Sequence, residues 1–310
     1  MAAAPDARLS VQLAGLALHT PLVAAAGTCG VLDELAEVSD LRWLGAVTTK
    51  SLTPESREGN APWRVVETKG GMLNAIGLAN PGIEAFARDH APRAGAMACA
   101  AIGSAAGHSI DDYVRVASGL EAAGLRAIEL NVSCPNTADG RHFGSDPAAL
   151  GPLVRAVRQA VRVRPLIVKL PPDGDAVALA GAAIEAGADA LTLCNTFPAM
   201  QIDPDSRRPA LSRGTGGLSG PGIHPIVVRI VHQVHRVVAG PAKVPIIGLG
   251  GTLDWRDAAE LVLAGASAVG LGTALLVDPG CPRRIARGLG AWCARQGVAS
   301  IAELVGAVAA

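Results

Sequence analysis

The chain has 310 residues and equal numbers of basic and acidic side chains, 27 Lys plus Arg against 27 Asp plus Glu, so no whole-molecule field draws it to nucleic acid or an anionic membrane. Half of the residues are hydrophobic (50%), yet no apolar run reaches the roughly 18 to 20 residues that span a bilayer, and the composition reads as a large core. The six cysteines, at 29, 99, 134, 194, 281 and 293, show no C-x-x-C or comparable spacing, which argues against zinc, an iron–sulfur cluster within the chain and a disulfide framework.

The opening MAAAPDARLS has no basic region followed by an apolar stretch and a cleavage site, so a cytoplasmic protein is expected. Short apolar runs then recur with helical patterns between them. Strands are expected near 22–27, 46–49, 96–102, 127–132, 166–170, 190–194, 244–249 and 268–271. The stretches GLEAAGLRAIELN, AAIEAGADALTLC and LVLAGASAVGLG repeat one design, a helix end, an Ala-Gly turn and a buried strand. That unit calls for a parallel sheet. Eight such strands with no segment suggesting a second domain close most economically as a single (β/α)8 barrel over residues 1–310, with a doubly wound open sheet as the alternative.

The connections after the second and sixth strands, SLTPESREGNAPWRVVETKGGMLNAIGLANPG and NTFPAMQIDPDSRRPALSRGTGGLSGPG, exceed a plain loop–helix–loop crossover. In a barrel such loops lie over the C-terminal, catalytic face, where substrate contacts are expected. Arg57 and Glu58, on the first of them, are read as a pair with each other. Asp33, Glu34 and Glu37 are read as a solvated helix face.

Polar residues gather at the strand ends. Lys50 and Ser51 follow the second strand, Asn131 to Asn136 the fourth, Lys169 closes the fifth, and Asn195 and Thr196 follow the sixth. An unpaired buried amide or ammonium costs roughly 1 to 3 kcal/mol or more, so convergence of several implies a polar ligand that satisfies them. The last two strands end in GLGGT (248–252) and GLGTA (270–274). Exposed backbone N–H groups and a helix N-terminus after each strand would make a phosphate site. Lys169, in LIVKLPPD, reads either as a lysine snorkelling at a strand end or as a fixed cation beside an electron-accepting ring. Flavin mononucleotide would use both the glycines and the lysine.

Cys134, in AIELNVSCPN, is by residue type a candidate core thiol. Pro135 after it ends the strand, however, and TADGRHFGSDP continues as a loop bearing Arg141 and His142. A thiol there could be a nucleophile, a redox partner or a general base; a base beside a flavin uses all of its neighbours. His232 and His235 stand three apart, but without a third ligand they read as a helix surface, and no metal site is expected.

Over nearly its whole length the chain resembles the class 1 dihydroorotate dehydrogenases, and most closely the 1B type. The matching stretches are TKSLT, REGN, RVVET, GMLNAIGLANPG, ELNVSCPN, ADALTLCNT, TGGLSGPGI, PIIGLGG and LAGASAVGLGTA, in order and at matching spacing. The resemblance implies an FMN-containing (β/α)8 barrel that oxidises dihydroorotate to orotate in pyrimidine synthesis. It implies Cys134 as the base removing the C5 proton while hydride leaves C6 for flavin N5. It implies that Asn74, Ala75, Ile76, Gly77, Leu78, Asn131, Asn136, Asn195 and Thr196 hold the pyrimidine and its carboxylate, with Lys50 touching substrate and flavin. The FMN-binding set it implies is Ala26, Lys50, Ser51, Asn131, Lys169, Cys194, Gly220, Gly250, Gly251, Gly272 and Thr273.

Two positions depart from the family pattern: Ala26 where serine is usual, and Ala100 where an asparagine usually ends the third strand. Each would remove a side-chain contact near the flavin. Cysteine as base separates the chain from the membrane-associated class 2 enzymes, which use serine, and asparagine at 136 separates it from relatives acting on uracil and thymine, which tend to carry histidine there. The 1B resemblance further implies a partner subunit with FAD and a [2Fe-2S] cluster that passes electrons to NAD+, in a homodimer or heterotetramer.

Overall fold

A computed structural model describes residues 4–133 and 143–309. Eight parallel strands close a barrel: β1 (Leu22–Ala24), β2 (Ala46–Thr48), β3 (Ala100–Ala105), β4 (Ala127–Asn131), β5 (Leu166–Leu170), β6 (Ala190–Leu193), β7 (Ile246–Leu249) and β8 (Ala268–Leu271). Each pairs in parallel with its sequence neighbour, and β8 returns to pair with β1. Both faces of such strands are covered, which explains why they read as near-continuous apolar runs without alternation. Helices α1 (Ile83–Asp89), α2 (Ile110–Ala122), α3 (Pro147–Ala160), α4 (Ala176–Glu185), α5 (His224–Val234), α6 (Trp255–Ala264), α7 (Thr273–Val277) and α8 (Cys281–Gln296) complete the units. All eight expected strands are present. The third begins at Ala100 instead of 96, because Ala91–Ala96 winds into a 3-10 helix around Pro92.

The three repeated helix–turn–strand stretches end their helices in the same way. After α2, α4 and α6, the backbone N–H of Leu125, Ala188 and Ala266 reaches back five residues to the carbonyl of Leu120, Ala183 and Leu261, at 3.3, 3.0 and 2.9 Å. Gly124, Gly187 and Gly265 carry φ of 84°, 102° and 122°. Only a residue without Cβ makes this left-handed reversal at little cost, so the Ala-Gly dipeptide is the stop signal of each helix. An N-terminal hairpin, Val11–Leu13 with Leu16–Leu18, buries alternate side chains and turns at Ala14 and Gly15. Ala14 lies near Arg164 and Pro165, before β5, so the hairpin sits toward the N-terminal ends of the strands.

Inside the barrel, Thr192 of β6 donates 2.8 Å to Glu129 Oε2 of β4, reaching past β5. The two long loops do more than cover the mouth. The first supplies strands Val65–Thr68 and Gly71–Asn74, the second supplies Phe197–Ala199 and Gly216–Ser219, and the four form one antiparallel sheet. Its central seam pairs Asn74 with Gly217, residues 143 positions apart in the sequence.

Candidate active site

A single cavity of about 490 Å³ opens at the C-terminal ends of the strands, within the range of small-molecule sites. Every residue expected to hold substrate or cofactor lines it, wherever that residue is described: Ala26 after β1, Lys50 and Ser51 after β2, Asn131 at the tip of β4 and Lys169 in β5. Cys194, Asn195 and Thr196 line it after β6, as do Asn74, Ala75, Ile76, Gly77 and Leu78 from the long loop. Gly220, Gly250, Gly251, Gly272 and Thr273 close its remaining side. Cys134, Asn136, Arg141 and His142 lie outside the described residues.

The strand tips form a connected set of hydrogen bonds. Asn195 Nδ2 donates 3.1 Å to Asn131 Oδ1, Asn131 Nδ2 donates 3.1 Å to Ser51 Oγ, and Ser51 Oγ meets Ser104 Oγ at 2.9 Å. The second oxygen site of the set is used as well, since the Thr196 N–H donates to Asn195 Oδ1. Each amide is thereby oriented, with its O and N ends assigned by its partners. Tyr113 of α2 fixes the end of β4 by donating 2.7 Å to the Asn131 carbonyl.

Two ammonium groups stand against these amides. Lys169 is 5% exposed. Burial pushes the Lys50 ammonium below the usual lysine range, and the neighbouring Lys169 pushes it the same way. Among the described residues neither lysine forms an ion pair with a carboxylate. Two adjacent cations without a protein anion are costly unless a ligand brings electron density to them. Cys194 takes no part in such chemistry as a thiolate: burial pushes its thiol up to about 12, with Lys169 pulling slightly the other way.

On the opposite side the backbone takes over. The N–H groups of Gly251, Thr252 and Gly272 have no acceptor within the described protein, and the buried Thr252 Oγ1 has no partner either. This is the donor set of an anion site. Of the two helix N-termini expected after these strands, one adjoins the glycines directly, since Gly272 is the N-cap of α7. Helix α6 begins beyond Leu253, and its N-terminus is already closed by a capping box of Asp254 and Asp257, while α7 is only five residues long.

Several supporting residues escaped the sequence reading. Asn60 holds the 74–78 loop, its Nδ2 donating 2.8 Å to the Ala75 carbonyl and its N–H bonding the Ile76 carbonyl. Ser219 accepts 2.7 Å from Thr273 Oγ1 and so ties the hood sheet to the start of α7. Two expectations are corrected. Ala100 stands at the start of β3, away from the mouth; the side chain at the C-terminal end of that strand is Ser104, bonded to Ser51, so no contact is lost at Ala100. Arg57 meets His108 Nε2 at 3.1 Å and forms no ion pair with Glu58. Asp33 pairs with Arg93 at 2.7 Å at the surface, and Glu34 and Glu37 stand exposed on the 3-10 helix Glu34–Glu37, in keeping with the solvated face expected there. His235, beside His232, packs its ring on Gly265 and Gly306.

A closed parallel barrel with oriented amides and two neighbouring lysines at one side of its mouth, and bare backbone N–H groups after β7 and β8, carries its polar groups on the face where barrel enzymes build their sites. The family model described as dihydroorotate dehydrogenase matches residues 8–292, and the chain belongs to that family. It is 46% identical over 303 residues to a Desulforudis audaxviator protein named dihydroorotate dehydrogenase B (NAD(+)), catalytic subunit, covering 97% of each chain. Proteins of the same name from Pelobacter propionicus and Geobacter sulfurreducens are 46% and 45% identical over 307 residues, covering 98% of this chain and 99% and 98% of theirs. Among the described residues no helix is long and apolar enough to cross a membrane.

Proposed function

We propose that the chain is a flavin-dependent oxidoreductase that converts dihydroorotate to orotate in pyrimidine synthesis, with FMN as its cofactor. The observation that carries the reading is the meeting, in one cavity, of two lysines and a row of backbone N–H groups that find no acidic partner or acceptor among the described residues, together with a chain of oriented amides. The residues fit FMN: the donors of Gly251, Thr252 and Gly272 suit a phosphate, and Lys169 and Lys50 suit a ring that gains negative charge. Bound there, FMN would supply a two-electron acceptor for hydride.

The chain's own residues do the rest. Asn131 and Asn195 present amides fixed by their neighbours, and Thr196 and the 74–78 loop enclose the opposite edge, so the pyrimidine is held without reorganisation. Lys50 offers its ammonium to the substrate carboxylate. Cys134, directly after Ser133 at the cavity's edge, is assigned the C5 proton as general base. The backbone at Ala26 supports flavin contact even though its side chain carries no hydroxyl.

The relatives are named catalytic subunits of an NAD(+) enzyme, which supports a partner subunit; on this reading that partner carries the FAD and [2Fe-2S] relay to NAD+. Among the described residues no three His, Cys, Asp or Glu side chains stand together as a metal site. Anaerobic addition of dihydroorotate should bleach the flavin absorbance of the purified protein. A flavin that stays oxidised with dihydroorotate but bleaches with dihydrouracil would replace the substrate assignment. Reoxidation by fumarate, a quinone, or NAD+ with a partner subunit then identifies the acceptor.

A further inference from the structure

His224 is the first residue of α5, buried at 7% exposure, and stands directly behind the glycine loop that follows β7. Its Nδ1 lies 2.9 Å from the Gly250 carbonyl oxygen. A carbonyl can only accept, so Nδ1 carries the hydrogen and the tautomer is fixed. Nε2 stands 3.5 Å from Glu260 Oε2 of α6, within ion-pair reach though without hydrogen-bond geometry. The ring is thus held between the loop and α6. A Cβ at Gly251, where φ is +73°, would lie 2.6 Å from His224 Cβ, so loop and histidine are in direct contact.

The consequence follows from peptide geometry. In a planar trans peptide the carbonyl of one residue and the N–H of the next point in opposite directions. His224 draws the Gly250 carbonyl toward α5 and is not part of the cavity lining, whereas Gly250 and Gly251 both are. The Gly251 N–H is therefore turned away from His224 and toward the cavity, and it has no acceptor within the described protein. We propose that His224 is a positioning residue for the cofactor phosphate: its Nδ1–H holds the Gly250–Gly251 peptide in the orientation that makes Gly251 an anion donor. This rests on the FMN reading above, and it assigns to the chain a residue that touches neither ring nor phosphate.

The test uses protein stripped of flavin and titrated separately with FMN and with riboflavin, which lacks the phosphate. Wild-type protein should bind FMN the more tightly. His224→Phe keeps a buried ring but removes the donor and should lower the FMN-to-riboflavin preference about tenfold, the ordinary weight of one buried donor, with riboflavin affinity unchanged. His224→Asn, whose amide can stand where Nδ1 stands, should restore the preference. A phenylalanine variant with the wild-type preference overturns the proposal, as does one that loses FMN and riboflavin in equal proportion. Should His224→Phe not fold, His224→Leu is read in its place against the asparagine variant. Wild-type protein that does not distinguish the two flavins overturns the phosphate reading itself, and the role of His224 falls with it.

Discussion

Asn195 donates its amide to Asn131 at 3.1 Å, so two strand tips separated by β5 present their remaining polar edges to the cavity as one rigid surface. Asn131→Ala should lower kcat/KM for dihydroorotate by roughly 10²-fold, the usual loss when one fixed donor is removed from a site. It should also free Asn195 and Ser51 to rotate. Steady-state kinetics with orotate inhibition checks this; an unchanged inhibition constant would place Asn131 outside substrate recognition.

Lys50 carries a cost in the ligand-free protein, since burial and Lys169 both lower its pKa from 10.5. Between the lowered value and 10.5 the unfolded chain binds more protons than the folded one, so stability rises with pH across that window and the penalty is complete below it. Lys50→Met should therefore abolish turnover while raising the melting temperature of the flavin-free protein, by roughly 2 to 4 °C per kcal/mol relieved. The alkaline gain in stability should flatten in the same variant. Thermal scans at neutral and alkaline pH decide it, and a methionine variant that melts lower than wild type contradicts it.

The five described cysteines are all enclosed. Cys29, Cys99 and Cys194 are buried and pushed up to about 12, and Cys281 to about 11, in each case first by burial. Cys293 is buried and raised as well. At about pH 8 all five stay protonated and enclosed, so iodoacetamide should reach Cys134 first and inactivate the enzyme with one label per chain. Orotate should protect. Peptide mapping that finds label at Cys194 before Cys134 would count against the assignment of the base.

Thr196 can be tested without being replaced. A Cβ at Gly217 would fall 1.8 Å from Thr196 Oγ1 and 2.6 Å from its Cβ, and the carbonyl of Gly217 also accepts from Asn74 Nδ2 at 3.3 Å. Gly217→Ala should displace both side chains and raise KM for dihydroorotate roughly tenfold or more, with FMN retained. Equal KM values in the two proteins would mean that the hood sheet does not shape the substrate pocket.

The barrel was legible because parallel strands buried on both faces announce themselves as apolar runs, and Gly124, Gly187 and Gly265 punctuate them. The strand-tip residues were legible because Lys50, Asn131, Lys169 and Asn195 are polar types at the ends of such runs. What escaped detection acts through other groups. Asn60 holds a backbone, Ser219 holds Thr273 and His224 holds a carbonyl, and none sits at the tip of a barrel strand. The hood sheet escaped for a different reason. Its strands are three or four residues long and partly exposed, the two central ones bear glycine, and their pairing joins segments more than a hundred positions apart. The offset of β3 has a local cause, since alanine-rich sequence around Pro92 does not distinguish a 3-10 turn from a strand start.

The seam between Asn74 and Gly217 makes the two long loops a single heritable unit. Neither can be lengthened, shortened or exchanged with that of a relative without breaking the register on which the other depends. The barrel beneath meets them at its strand ends and through the ion pair from Arg115 of α2 to Glu55. Specificity in this scaffold should therefore be transplanted by moving both segments together, as one graft of two pieces.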